Sequence, residues 1–390
     1  MNSLDVILIV VLVVYSMSGF VQGFLVNLAA TVGMIAGGTI GIIVVPMMLP
    51  ADGPTLSASL MALALVVAAA GIGQVIGTAI GSAAREGVRR QPARALDSIG
   101  GAGLSIVAVL VVSWAIGYAV SGTSVPYLGT AARDSVILGE VNSAMPHPVT
   151  KVLRAFNRTL DANVFPRYID PFQDESITAI APPDEAALRA PGVQAASASV
   201  VKVLGVATCD RGIEGSGFVF APGRVMTNAH VVAGVREPTI DLDGRRLEAK
   251  VVVFDPDLDV AVLAVNNLNR AALSFDRTGE RGESAVILGY PQNGPFDARA
   301  ARIRSEITMQ SPDIYDQGQH LRKVFALRGL VRSGNSGGPL VSSEGRVLGV
   351  IFAASVTDSS TGYSLTANQV ADAAARGRTA TNRVDTGGCA

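Results

Sequence analysis

Arg332-Ser333-Gly334-Asn335-Ser336-Gly337-Gly338-Pro339-Leu340 places one serine among glycines and closes with a proline and the start of an apolar run. A serine hydroxyl attacks nothing until a neighbouring base takes its proton and backbone N–H groups receive the developing oxyanion. Glycines permit the tight turn that aims such groups inward. Taken alone, the nonapeptide also reads as an ordinary turn between two strands, so its meaning depends on its surroundings.

Around this stretch, short β-rich runs alternate with Gly, Asp, Asn and Pro: 199–208, 216–220, 224–227, 239–242, 248–255, 260–265, 285–289, 302–309, 323–327, 339–341 and 347–353. Runs this short and this frequent predict a β-barrel or sandwich. There is no strand–helix–strand rhythm, which counts against folds that present a nucleophile at a strand-to-helix turn. Of the 3 histidines in the chain, His230 ends the run Val225-Met226-Thr227-Asn228-Ala229-His230, after Gly215-Ser216-Gly217-Phe218-Val219-Phe220. It is the candidate general base. Asp255-Pro256-Asp257-Leu258-Asp259-Val260-Ala261-Val262-Leu263 offers the carboxylate that would orient its imidazole. Asp259 directly precedes the apolar strand and is the choice, with Asp255 and Asp257 as turn residues. Singly, His230 reads as a partly buried core histidine and Asp259 as a strand cap; the order His230, Asp259, Ser336 with all three contexts argues for a triad.

The charge distribution divides the chain. Charged residues make up only 16% of the 390 residues and hydrophobic ones 49%, with a mean hydropathy of +0.40. Up to residue 122 the acids are Asp5, Asp52, Glu86 and Asp97 and the bases Arg85, Arg89, Arg90 and Arg94. Apolar segments at about 4–20, 24–47, 57–82 and 101–121 each approach the length that crosses a bilayer, and no basic leader marks the first as a cleaved signal. All four bases share the loop between the third and fourth segments, so the positive-inside rule puts that loop in the cytoplasm and everything after 122 outside it. Gly33, Gly37 and Gly41, and Gly73, Gly77 and Gly81, line one face of the second and third helices. Such faces predict a compact bundle or self-association between copies, and Asn27 and Gln74 read as interhelical hydrogen-bonders. A net charge of -1 gives no reason to expect a nucleic-acid partner. Residues 123–197 read as a partly helical linker, with helical periodicity at 131–145 and 148–160. His147 is a loop residue, and the Ala/Pro/Ser-rich stretch 180–199 is a flexible tether.

Two resemblances emerge from these residues. Leu4-Asp5-Val6-Ile7-Leu8 with Gly19-Phe20 and Gly23-Phe24 resembles the colicin V production protein family. Residues 198–370, through Thr227-Asn228-Ala229-His230, Asp259-Val260-Ala261-Val262-Leu263 and Gly334-Asn335-Ser336-Gly337-Gly338-Pro339-Leu340, resemble trypsin-like serine proteases of the HtrA branch. The protease resemblance implies a chymotrypsin-like double β-barrel over 198–390, following an all-α bundle of four transmembrane helices over 1–122. It implies His230 as base and acid, Asp259 as its orienting carboxylate and Ser336 as nucleophile, with the N–H groups of Gly334 and Ser336 as oxyanion hole. It also puts Leu330 near the floor of the specificity pocket and pairs Phe352, Ala353 and Ala354 with substrate backbone, so a neutral residue is expected before the scissile bond. No metal or other cofactor is implied. Asn335 stands where digestive trypsins carry an aspartate, and no PDZ domain follows, so neither activation by a new N-terminus nor PDZ assembly is expected. The two halves together resemble actinobacterial membrane-anchored acid-resistance proteases, which implies a periplasmic endopeptidase acting on envelope proteins under acid and oxidative stress, held by the lipid bilayer.

Cys209 and Cys389 bracket this domain on the external side, where a disulfide is expected. Closing so long a loop contributes roughly 4 to 5 kcal/mol in the chain-entropy treatment. Because an unperturbed imidazole titrates near about 6.5, acid disables a triad base. Acid would therefore act on activation, through self-cleavage in the 180–199 tether. Two other readings fit the same sequence: an idle sensor or binding protein on a protease fold, and a transport or channel protein with a regulatory protease domain.

Overall fold

The computed structural model describes residues 2–48, 56–86, 91–120, 131–132, 134–145, 177–209, 211–242, 244–315, 317–355 and 358–390. The predicted helix at 148–160 and His147 lie outside them. The chain divides into two compact units, Met1–Ala162 and Asn163–Ala390.

In the first unit, α1 (Ser3–Gln22), α2 (Phe24–Met48), α3 (Leu56–Arg85) and α4 (Gln91–Val120) each contain a stretch long and apolar enough to cross a membrane. One residue separates α1 from α2: Gly23, at φ 86°, whose N–H still bonds Gly19 O. A side chain there would collide with the Asp97 carboxylate, which accepts from Leu25 N (3.1 Å) and pairs with Arg85 Nε (3.0 Å). This joint needs a glycine.

The glycine faces of α2 and α3 meet each other. A Cβ on Gly33 would come 2.1 Å from Gly73 O, one on Gly37 2.3 Å from Ala69 O, and one on Gly77 2.1 Å from Ala29 O. Of the two expectations for these faces, the compact bundle is what the structure shows: the close approach they permit is used within the chain. Asn27 does bridge helices, donating to Gly19 O and Gly23 O (3.3 and 2.8 Å) and accepting from Ser105 Oγ (3.1 Å). Gln74 instead sits exposed on α3.

The helical segment expected near 131–145 is a shorter helix, α5 (Val136–Ala144), and it packs on α4. Trp114 Nε1 donates to Asn142 Oδ1 (3.0 Å). Asp5, fully buried, caps the N-terminus of α5, taking Ser135 Oγ–H on Oδ1 (2.6 Å) along with Ile137 N–H (3.2 Å).

In the second unit, β1 (Val200–Val206), β2 (Gly212–Ala221), β3 (Arg224–Thr227), β4 (Thr239–Leu242), β5 (Arg245–Asp255) and β6 (Val260–Val265) close into a barrel in the order β1-β2-β3-β6-β5-β4. The later strands are β7 (Ser284–Gly289), β8 (Asp297–Ser311), β9 (His320–Arg328), β10 (Pro339–Ser342), β11 (Val347–Ala354) and β12 (Thr361–Thr366). They pair antiparallel as β10-β11-β12-β9-β8-β7, and β10 pairs back onto β7. Val201, Val203, Val219, Val225, Ile240 and Leu263 fill the first barrel. Ile287, Ile303, Phe325, Leu327, Leu340 and Ile351 pack together among the later strands. A third cluster, including Phe218, Met226, Val262, Leu288, Val324 and Phe352, joins the two sets of strands.

The stretch 180–199 is not a tether. It forms a 3₁₀ turn (Glu185–Arg189) and α6 (Pro191–Ser197), and Ala187, Val193 and Ala196 enter the shared core. Upstream, Thr178 O, Ile180 O and Pro182 O accept from Arg304 Nη1, Arg328 Nη1 and Arg302 Nε. Composition suggested flexibility, but small side chains here permit close packing: Gly192 lies on the backbone of Glu344. At the other end, α7 (Ala371–Thr379) covers β3, β5 and β6. The tail then returns to the first barrel, where Gly234 N–H donates to Thr386 O (3.1 Å).

Candidate active site

His230 follows β3 in a segment whose residues Thr227 and Asn228 are fully buried. Asp259 lies in the tight turn between β5 and β6 at φ 60°, a left-handed backbone that aspartate tolerates better than most residues. That conformation turns its buried carboxylate onto His230 with both oxygens: Oδ1 accepts the His230 backbone N–H (2.9 Å) and Oδ2 faces Nδ1 (2.8 Å). With Nδ1–H donating to Asp259, Nε2 is presented as the acceptor of a proton. Asn228 Nδ2 donates to Asp259 O (2.8 Å), fixing the turn from the histidine side. Asp255 takes the turn role expected of it, accepting Leu258 N–H (3.0 Å).

Ser336 lies in the loop before β10 and is 4% exposed. This loop packs against the histidine segment: a Cβ on Gly337 would come 2.3 Å from Thr227 Oγ1 and 3.0 Å from Asn228 N. Gly337, at φ 82°, is a position only glycine fills without strain. Ser336 O accepts from Ser216 N (2.8 Å) on β2. The nucleophile candidate and the base candidate are thus held by neighbouring stretches of backbone.

Four consecutive carbonyls of this loop are anchored. Ser333 O accepts from Gln292 N (2.8 Å), Gly334 O from Ser216 Oγ (2.6 Å), Asn335 O from Gly338 N (2.9 Å) and Ser336 O from Ser216 N. A trans peptide holds C=O and N–H on opposite sides. Anchoring Ser333 O and Asn335 O therefore aims the N–H groups of Gly334 and Ser336 away from those anchors, an arrangement suited to an oxyanion. Asn335 turns its Oδ1 onto Arg332 N (2.9 Å), an internal bond in place of an ion pair with a new N-terminus.

Among the pocket residues, Leu330 is partly buried in the loop after β9. Val331, beside it, crowds Gly362, where a Cβ would come 2.2 Å from Val331 Cγ2. Phe352 sits at a break in the β11–β12 register, its ring in the shared core; Ala353 is buried and Ala354 partly buried. Arg328, at the end of β9, points away to Ile180 O. Cys209 and Cys389 form a disulfide, with S–S 2.08 Å.

Sequence reading missed Ser216, Gln292 and Glu214. Burial pushes the Glu214 carboxyl above its ordinary range, opposed by Lys202 and the Asn293 backbone. Among the described residues, Asp257, Asp313 and His320 bring possible ligand atoms within 4.8 Å of one another, but Asp313 Oδ1 is already used by Tyr315 N (2.9 Å) and Gln317 N (2.6 Å).

Residues 215–350 match the trypsin-like peptidase domain family and residues 4–146 the colicin V production protein family. The serine protease Rv3671c of Mycobacterium tuberculosis is 40% identical over 309 residues, 78% of each chain. The active form of the Rv3671c protease superposes with a TM-score of 0.54 at 44% identity, covering 57% of this chain and 98% of that one. Protease Do-like 1 of Arabidopsis thaliana, chloroplastic, is 30% identical over 168 residues, 40% of this chain and 37% of its own. Together with the four long apolar helices, these relationships make the chain a multi-pass membrane protein with an extracytoplasmic peptidase domain. With identity extending across both regions, the chain belongs to the family of membrane-associated trypsin-like serine proteases to which Rv3671c belongs, in which a colicin V production protein module precedes the peptidase domain.

Proposed function

We propose that His230, Asp259 and Ser336 form the catalytic triad of a periplasmic endopeptidase that cleaves envelope proteins. The observation that carries this reading is the double grip of Asp259 on His230, which fixes both ring and tautomer. Nε2 takes the Ser336 proton as Oγ attacks the scissile carbonyl, and Asp259 stabilises the resulting imidazolium. The Gly334 and Ser336 N–H groups receive the oxyanion. His230 then returns the proton to the leaving amine, and water releases the acyl group by the same steps in reverse.

The ring of pairings through β7 to β12 supports reading it as the second barrel of a chymotrypsin-like fold. Residues 1–122 are the membrane module, 198–390 the protease domain and 123–197 the connection, whose two ends pack onto either unit. Leu330 and the backbone of Phe352, Ala353 and Ala354 would meet the substrate before the scissile bond. The resemblance to acid-resistance proteases extends the role to survival of acid and oxidative stress.

Full-length protein in detergent micelles, treated with a fluorophosphonate, tests the triad. Labelling is expected at Ser336 and is lost in Ser336→Ala; an unlabelled parent would favour an idle protease fold.

A further inference from the structure

Of the four anchored carbonyls, three are held by backbone N–H groups, and only Gly334 O is held by a side chain, Ser216 Oγ. The same residue holds Ser336 O through its own N–H (2.8 Å). Ser216 is fully buried and its hydroxyl is used in both directions, donating to Gly334 O (2.6 Å) and accepting Tyr290 N–H (2.8 Å). Its carbonyl accepts Thr227 Oγ1–H (2.7 Å), three residues before His230. One residue of β2 therefore touches the loop of the nucleophile on both sides of Ser336 and the approach to the base.

The peptide between Gly334 and Asn335 lies between the two N–H groups that face the oxyanion. Gly334 sits at φ 89°, a glycine conformation that alternatives surround at little steric cost. The bonds to Ser333 O and Asn335 O hold the two outer peptides, and the Gly334 carbonyl bond holds the middle one that sets the angle between the two donors. We propose that Ser216 is a positioning residue for peptide hydrolysis: its hydroxyl locks the Gly334 carbonyl so that the Gly334 and Ser336 N–H groups converge on one point. This rests on the triad reading above.

The test uses full-length protein in detergent micelles, with fluorescein-labelled casein as substrate, fluorophosphonate as acylation probe and thermal unfolding as a check on folding. In Ser216→Ala, kcat is expected to fall about tenfold to a hundredfold, less than when an oxyanion donor itself is removed. KM should change by less than about threefold, because an effect confined to the transition state leaves ground-state binding alone. The fluorophosphonate rate constant should fall with kcat. Ser216→Cys, whose thiol is a weaker donor, should fall between parent and Ser216→Ala, and it carries the test if the alanine variant does not fold. A folded variant with parental kcat, or a loss lying wholly in KM, overturns the proposal. A parent that fluorophosphonate does not label at Ser336 overturns the triad reading instead, so the two failures are distinguishable.

Discussion

Asp259 holds a left-handed backbone that costs it conformational energy. The return is a carboxylate with one oxygen for the His230 backbone and one for the ring. Asparagine in its place preserves shape but offers the ring a donor on one side, favouring the wrong tautomer. Asp259→Asn is expected to lower kcat on labelled casein about 10⁴-fold; a loss of less than tenfold would remove Asp259 from the triad. Ser336→Ala should lower kcat by at least about a thousandfold with the thermal midpoint little changed. The three candidates could be picked out because each stands in a local wording that such chemistry demands, and the structure brings His230 and Asp259 into contact. Ser216 could not be picked out, since its part lies in bonds to main-chain carbonyls far along the chain. The one clue was a hydroxyl in an apolar strand between two glycines, a buried polar group that must find partners.

Among the elements, α2 and α3 meet through glycines whose backbones nearly touch, so bulk on that face must part the helices. Gly77→Leu would place side-chain atoms where even a Cβ lies 2.1 Å from Ala29 O, whereas a Cβ on Gly71 meets nothing within 4 Å. Thermal unfolding in micelles should show Gly77→Leu destabilised by about 1–3 kcal/mol or more and Gly71→Ala unchanged or slightly stabilised. Equal effects at both positions would contradict the packing described. The spacing of the glycines predicted a close-packed face; it could not say whether the partner was another helix of the same chain. Most strands were legible from their apolar runs, but β12, Thr-Gly-Tyr-Ser-Leu-Thr, was not. Every residue of it is buried despite that composition, and Gly362 is there because Val331 fills the space of a side chain. Composition also misread 180–199, where alanine and proline shape a 3₁₀ turn and a short helix.

At the scale of the whole peptidase unit, the Cys209–Cys389 bond spans 180 residues and fastens the tail to the first barrel. Cys389→Ser should cost about 2–5 kcal/mol, read as a fall in thermal midpoint, and thiol trapping of the parent should find both cysteines blocked until reductant is added. Two of the carboxyls that link stability to pH act in opposed directions. Hydrogen bonds from Thr278, with Arg346 (2.7 Å), hold the Asp276 carboxyl below its ordinary range despite its burial. Its stabilisation is complete above the unfolded value of about 3.9 and is lost as pH falls through the lower folded value. Asp276→Asn should therefore be less stable than the parent near neutrality, with the gap closing in acid. Burial raises Glu214, so its charge works against folding once pH rises above about 4.3, the unfolded value. Glu214→Gln should gain on the parent toward neutrality and lose that advantage as pH falls. Denaturant titrations across pH check both; a gap that stays constant with pH for either variant would exclude its carboxyl from the profile.

The three guanidinium contacts to Thr178, Ile180 and Pro182 have a mechanical consequence. Arg302, Arg304 and Arg328 belong to β8 and β9, among the strands that carry Ser336, and not to those that carry His230. Among the described residues of the peptidase unit, Thr178, Ile180 and Pro182 are the earliest that strand side chains hold, so a pull on this segment loads β8 and β9 directly. Such a load reaches the first barrel, whose strands lead into His230 and Asp259, only after those guanidinium bonds have parted.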